Sequence, residues 1–137
     1  MPCILRVSGR DFAARAYARR TSLPVVKTYM RGEPRLPRAQ SDGKTNKTSG
    51  ISIDVSGADF TNIKRQIRDA LAFLARHRAA LRRLRHVTGV EQLTLDFGIA
   101  DREVAAQFDY FPPELLLAAG QLGIGIEISR YHLSNDG

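Results

Sequence analysis

Two carboxylates in the C-terminal third of the chain are the residues best suited to acid/base chemistry. Asp96 and Glu127 each lie in a stretch where apolar and polar residues alternate. Alternation with a period of two is typical of strands, and neighbouring strands would bring the two carboxylates together as a general acid and base. Carboxylates on an exposed sheet face are more often only solvated. The sequence therefore favours a protein without enzymatic activity, with an Asp96/Glu127 enzyme as an alternative.

The other motifs for catalysis, metal binding and nucleotide binding are incomplete. Cys3, the only cysteine, lies in a predicted strand with no histidine near it in the sequence, and the three histidines lack metal-ligand spacing. Residues Gly43–Thr45 match the end of a phosphate-binding loop. However, Arg38 stands where that motif needs glycine, and a predicted strand follows where it needs a helix. We therefore predict no cofactor and no metal site.

The phrase VSGRDF at residues 7–12 recurs as VSGADF at residues 55–60. Each copy follows an alternating stretch and precedes apolar residues at helical spacing, which predicts a β-α unit at each place. The serine and the aspartate of each phrase are three residues apart, the spacing of a helix N-cap with an acid in the first turn. A phosphate-binding turn is the alternative, but the acid would repel an anion there. We expect a structural cap in both copies.

Further predicted strands complete these units at Val25–Met30 and Gln92–Phe97, in the order βαβ–βαβ of a ferredoxin-like sandwich. A third unit follows, with a strand at Val104–Tyr110, a helix at Glu114–Leu122 and a strand at Ile124–Ile128. We predict an α+β fold: a ferredoxin-like βαβ–βαβ duplication extended by a third β-α-β unit, with a mainly antiparallel sheet of about six strands and helices on one face.

The 137 residues fit one domain, 1–137, with one core. Residues 31–49 are rich in basic residues and poor in apolar anchors, and are expected to form a mobile loop. No apolar run approaches the ~20 residues of a membrane span, and the N-terminus lacks a signal-peptide layout. A single cysteine allows no internal disulfide. We expect a cytoplasmic protein without a membrane partner.

Charge is divided unevenly along the chain. The net charge is +7, and residues 1–86 hold 19 Lys/Arg against 6 Asp/Glu, whereas residues 87–137 hold 2 against 8. Basic residues concentrate in RHRAALRRLRH, residues 76–86, near the end of a helix expected to run about 30 residues and to project beyond the core. The candidate binding residues on this basic helix are Arg76, Arg78, Arg82, Arg83 and Arg85.

The strand alternation predicts a second charged surface, on the sheet face away from the helices. The residues expected there are Arg6, Asp54, Thr94, Asp96, Gln107, Asp109, Glu127, Ser129 and Tyr131. Those proposed for binding are Asp54, Asp96, Asp109, Glu127 and Tyr131, with the carboxylates solvated. An RNA-binding sheet displays aromatic and basic side chains instead, so this face is not predicted to bind RNA.

Two surfaces of opposite charge, without a catalytic constellation, favour a protein that binds another protein, because such surfaces steer association and reject wrong partners. A toxin inhibitor or an assembly adaptor would use such surfaces. Nucleic acid, bound by the basic helix and the 31–49 loop, is the alternative partner. A homodimer also remains open.

The stretch LTLDFGIADREVAAQFDYFPPELLLAAGQLGIGIEISRY, residues 93–131, resembles an uncharacterised family of bacterial domains of unknown function. The segments LDFG, FPPELL and LGIGIEISRY carry the resemblance, together with VSGADF and the long helix. It extends over roughly two-thirds of the chain and implies no catalytic residues. Some similar small bacterial domains are thought to be immunity proteins that neutralise toxins, which implies binding rather than chemistry.

Overall fold

A computed structural model of the chain describes residues 2–36 and 42–132. These residues form five strands and four helices. In chain order the elements are β1 (Cys3–Gly9), α1 (Ala14–Arg20), β2 (Val25–Tyr29), β3 (Ser49–Ser56), α2 (Ile63–Arg76), α3 (Arg78–Arg85), β4 (Gln92–Ala100), α4 (Pro113–Gln121) and β5 (Gly125–Tyr131). None of these helices has both the length and the apolar character needed to cross a membrane.

The strands form one open, mostly antiparallel sheet in the order β2-β3-β1-β4-β5. The β1 strand pairs antiparallel with β3 and β4, and β3 pairs antiparallel with β2. Only β4 and β5 pair in parallel, because α4 connects them as a crossover. The predicted α+β class and mainly antiparallel sheet are confirmed. The ferredoxin-like duplication itself stays a prediction.

One face of this sheet carries the core. Cys3, Leu5 and Val7 of β1 are fully buried and alternate with partly exposed residues, as a strand with one buried face requires. They belong to the same cluster as buried residues of all four helices, including Tyr17 and Leu74. The helices therefore share this core face, and we call the opposite one the open face.

The long basic helix is interrupted, contrary to the sequence expectation. His77 ends α2, where its backbone N–H donates to the Phe73 carbonyl at 3.0 Å, and α3 begins at the next residue. Leu81 and Leu84 are fully buried. The predicted projection beyond the core is therefore wrong. An unbroken helix would turn arginines toward the core, whereas the break lets α3 bury its leucines and expose its arginines.

The expected caps of the repeated phrase are also wrong. Both helices begin later, and Asn62 caps α2 by accepting the Arg65 amide at 3.1 Å. Ser56 instead donates its hydroxyl to Asp69 at 2.6 Å, and Asp59 accepts from the Thr61 amide at 3.0 Å. The phrase thus forms a turn that leads from strand to helix, and the caps lie outside it.

The two glycines of the repeated phrase have different roles. A side chain at Gly9 would collide with the carbonyl of Gly89, so only glycine permits this approach of two turns. Nothing lies within 4 Å of the position that a side chain at Gly57 would occupy. The shared letters therefore do not impose a shared packing requirement.

The predicted strand Val104–Tyr110 is wrong, and the described residues therefore form five strands instead of about six. Residues 101–112 are irregular. Gln107 holds them in place by donating to the Ala100 carbonyl at 3.2 Å and accepting the Arg102 amide at 2.9 Å. The alternation misled because the segment pairs with no described strand of the sheet, and its aromatic side chains Phe108 and Tyr110 are exposed instead of packed. The helix and strand predicted after it are confirmed as α4 and β5.

The connection between β2 and β3 lies where the loop was predicted, and residues 37–41 of it are outside the described residues. Its two described arms pair with each other. Gly32 donates to the Asn46 carbonyl at 2.9 Å, Asn46 donates to the Glu33 carbonyl at 2.8 Å, and Pro34 and Thr45 form an isolated bridge. These contacts hold the arms beside the end of the sheet.

Candidate functional site

The centre of the open face is an ion network. Strand register places Asp96 of β4 beside Glu127 of β5 and next to Arg6 of β1. Arg6 donates to Asp96 at 2.6 Å and also pairs with Glu127, while Ser129 donates to Asp96 at 2.7 Å. The predicted proximity of Asp96 and Glu127 is therefore present. Both carboxylates are partners of one guanidinium, so the cluster links three strands.

The predicted solvated acidic face is partly wrong. The side chains of Asp96 and Asp109 are only 8% and 7% exposed, whereas that of Glu127 is 50% exposed. Asp109 lies in the 101–112 segment, where Arg102 approaches it at 3.6 Å. One carboxylate oxygen of Asp54 is buried and has no hydrogen-bond partner among the described residues. The five predicted residues therefore do not form one accessible acidic surface.

Tyr131 takes part in the only ring contact of the described open face. Its ring lies 5.0 Å from that of Phe60, and Phe60 also occupies the space above Gly98. The Phe60 carbonyl accepts the Ala100 amide at 3.0 Å, which continues the edge of β4 beyond the end of β1. Tyr131 thus completes one end of the sheet, and the residue is still 47% exposed.

The predicted basic residues lie together on the helix side of the molecule. Arg76 ends α2, and Arg78, Arg82, Arg83 and Arg85 are on α3. All five are exposed, and none forms an ion pair within the described part of the chain. The basic surface is thus present, although it covers the core instead of extending from it.

The sequence did not reveal the large exposed apolar side chains in the C-terminal part of the chain. Phe108 is 86% exposed and Tyr110 is 75% exposed, in the segment predicted to be a strand. We call the apolar edge the set of exposed apolar residues found in this segment, on α4 and on β5: Val104, Phe108, Tyr110, Leu116, Leu117 and Ile128. The sequence signal that could have indicated these exposed side chains was the pair of aromatic residues Phe108 and Tyr110 in one short segment. Single exposed apolar residues are ordinary, whereas a contiguous group of them is typical of an interaction surface.

The geometry of α4 turns Leu116 away from α2. Ala118 and Leu122 line the contact with α2. Leu116 precedes Ala118 by two residues, about 200° around the helix, so it lies on the flank turned away from α2. The α4 helix also contacts β5, the strand that follows it in the chain. The residues of the apolar edge on α4 and β5 therefore belong to, or contact, a strand that has no second partner strand among the described residues.

The two outer strands of the sheet differ in how well they resist pairing. The β2 strand has five residues, an irregular register next to Val25, and an exposed Lys27. Short length, irregularity and lysine all discourage addition of another strand. The β5 strand has seven residues in unbroken register, and Ile128 at its centre is 44% exposed. The β5 strand also carries the exposed charges of Glu127 and Arg130, so its greater length and regular register are what make it the more open edge among the described strands.

The charges around the apolar edge are mostly negative. Asp101, Glu103 and Glu114 are exposed and form no ion pair within residues 2–36 and 42–132. The exposed cations of these segments are Arg102, which pairs with Asp109, and Arg130 of β5. A segment with apolar and basic side chains would complement this surface in both hydrophobicity and charge.

The structure also shows the surroundings of the candidate nucleophile Cys3 and of the candidate metal ligands. Cys3 is fully buried, and burial together with the nearby Asp96, Asp54 and Asp69 carboxylates raises the pKa of its thiol. The thiol therefore stays neutral and unreactive. Within the described ranges, no group of three His, Cys, Asp or Glu residues is placed to hold a metal ion.

The fold and surfaces define a small α+β protein with one open sheet, a basic helical surface and an apolar sheet edge. The chain belongs to the family described as domain of unknown function (DUF4279), whose model matches residues 1–133. The predicted membership in an uncharacterised domain family is confirmed. No curated protein and no solved structure matches the chain.

Proposed function

We propose that this protein is a cytoplasmic, non-enzymatic binding domain that takes up a strand of another protein along β5. The observation that carries the proposal is the combination of an unprotected edge strand with the apolar edge beside it. In strand addition, backbone hydrogen bonds supply affinity and pockets for alternate side chains supply specificity. A toxin-neutralising protein or an assembly adaptor would work in this way.

The partner is proposed to present an extended segment of apolar residues with lysine or arginine at its ends. Its apolar side chains would cover Phe108, Leu116 and Ile128, and its cations would meet Glu103 and Glu114. A second copy of this chain fits less well. Two β5 strands paired with each other would bring the same acidic groups of both copies together, and like charges disfavour such an interface.

Selection from a displayed library of random peptides, with the full chain as bait, tests this proposal. We expect enrichment of peptides with alternating apolar residues and basic ends. Binding of the enriched peptides should fall at least tenfold in Phe108→Asp and in Ile128→Lys. The matched control is Val26→Asp, because Val26 is 50% exposed on the opposite edge of the sheet.

Three outcomes would overturn the proposal. The first is enrichment of peptides that bind Val26→Asp less well but tolerate Phe108→Asp. The second is enrichment of acidic peptides whose binding depends on Arg82 or Arg83. The third is a dimer of the chain alone, in light-scattering measurements, that Ile128→Lys dissociates, since the edge would then be occupied by a second copy.

Nucleic-acid binding is the second candidate, favoured by the five exposed arginines of α2 and α3 that lack ion-pair partners among the described residues. The charge of this surface would attract a phosphate backbone without selecting a sequence. Tyr17 and Phe73, the tyrosine and phenylalanine of helices α1 and α2, are buried and cannot stack on bases. The strand-addition proposal is therefore preferred.

A further inference from the structure

A basic cleft lies at the end of the sheet where β1 leads into α1. It has a volume of about 660 Å³ and is lined by Arg10, Arg31, Gly32, Thr45, Asn46, Lys47, Thr48 and Glu91. The lining comes from the repeated phrase, from both arms of the β2–β3 connection and from Glu91, the residue before β4. Four separate chain segments thus converge on one concave surface of the size that small ligands occupy.

Two of the three cations of the cleft have no ion-pair partner among the described residues. Neither Arg10 nor Lys47 forms an ion pair among the described residues, and Arg31 reaches Asp11 only at 3.3 Å. Asp11 is itself 78% exposed, so this pair is largely screened by solvent. Glu91 is the only carboxylate of the lining, and it accepts the backbone amide of Arg10. Three cations and one anion give the lining a formal charge of +2, and Asp11 beside Arg31 offsets part of this charge.

The position of Arg10 separates the two copies of the repeated phrase. The copies VSGRDF and VSGADF differ at one position, Arg10 against Ala58. Arg10 is exposed at the cleft, whereas Ala58 is 6% exposed and packs inside the fold. The arginine therefore has no structural counterpart in the second copy. The one position at which the two copies differ therefore supplies a cation to the lining of the cleft.

We propose that this cleft binds the terminal phosphate of a small phosphorylated molecule. A phosphate monoester carries a charge of about −1.5 to −2 at neutral pH, which matches the charge of the lining. Guanidinium groups bind phosphate through paired hydrogen bonds, and lysine adds a point charge. The hydroxyls of Thr45 and Thr48 supply further donors. Diester phosphates of nucleic acid carry one charge each and match the cleft less well.

Titrations followed by NMR amide shifts of the full chain test the proposal, with phenyl phosphate as the probe. Saturable shifts are expected in the segments that contain Arg10, Gly32, Lys47 and Glu91. Arg10→Ala and Lys47→Ala should each weaken binding by about tenfold, because each removes a charge-assisted contact. The matched control Arg19→Ala, an exposed arginine of α1 away from the cleft, should bind like the unmodified chain.

A second titration separates this site from a nucleic-acid surface. A single-stranded oligonucleotide of ten thymidines with a 5′-hydroxyl carries only diester phosphates and should shift these amides weakly or not at all. Three results would overturn the proposal: no saturation with phenyl phosphate, equal weakening by Arg19→Ala, or a stronger response of the cleft amides to the oligonucleotide. The variants change exposed side chains, and their amide spectra report folding in the same experiment.

Discussion

Asp96 joins three strands through its side chain, although its sequence position predicted a solvated carboxylate. It accepts from Arg6 and from Ser129, and its side chain is 8% exposed. Asp96→Ala should lower the free energy of unfolding by about 2–4 kcal/mol, because Arg6 loses its buried partner. Urea unfolding followed by circular dichroism measures this.

Glu127→Ala is the matched control for that variant. Glu127 pairs with the same guanidinium, but its side chain is 50% exposed. Its loss should therefore cost no more than about 1 kcal/mol. Equal costs for the two variants would mean that burial does not distinguish the carboxylates and would contradict the described network.

Cys3 should be chemically silent in the folded protein. Its thiol is fully buried and the pKa of the thiol is raised, so a thiol reagent should react only after addition of denaturant. The raised pKa also has a consequence for stability. Below the ordinary thiol pKa of 9.0 the thiol is neutral in both the folded and the unfolded state, and the stability is unaffected by its ionisation. Above that pH the thiol ionises only in the unfolded state, so the free energy of unfolding should fall as the pH rises.

Cys3→Ala separates the two effects. The variant should lose the part of the alkaline destabilisation that the thiol causes, although the small cavity lowers its stability at neutral pH. Unfolding midpoints at pH 8 and pH 10 provide the comparison. Rapid reaction of the native thiol, or an unchanged pH dependence in the variant, would place Cys3 outside the core.

Alternation along the strands predicted which side chains lie on the open face, including Arg6, Asp96 and Glu127. It did not predict how deeply each is buried. Burial of Asp96 depends on Arg6 and Ser129, which come from strands 90 and 33 residues away in the chain. A local pattern gives the direction of a side chain on its strand. It does not contain the distant groups that cover it.

At the scale of elements, α3 is held to the core by leucines. Leu84→Ala should cost about 2–5 kcal/mol of unfolding free energy, because Leu84 is fully buried. Leu117→Ala on α4 is the matched control: its side chain is 62% exposed, and its cost should stay within about 0.5 kcal/mol. A small cost for Leu84→Ala would restore the projecting helix that the sequence predicted.

Helices and strands with one clear apolar face could be predicted from the sequence. Segments whose conformation depends on contacts with distant parts of the chain could not. Alternation predicted β1, β3, β4 and β5, and the two prolines predicted the start of α4. The interruption at His77 was not visible as a helix breaker, since neither glycine nor proline occurs there. The alternating residues 104–110 resembled a strand, but they lack a partner. An exposed apolar surface and a half-buried strand can both show alternating apolar and polar residues in the sequence.

At the scale of the molecule, the basic surface is expected to bind nucleic acid only weakly. The five arginines are spread over two helices, so any retention of duplex or single-stranded DNA in gel shifts should be lost between ~50 and 200 mM salt. Arg82→Ala with Arg83→Ala should reduce it equally for all sequences. Retention that persists at ~200 mM salt and prefers one sequence would favour the nucleic-acid alternative over strand addition.

The central claim is that a partner strand pairs with β5, and amide hydrogen exchange of the complex with a selected peptide tests it most directly. Strand addition predicts slower exchange at alternate amides of β5, because every second backbone group of an edge strand faces outward. Exchange in β2 should not change. Protection confined to β2 or to α3, with β5 exchanging as in the free protein, would contradict the account.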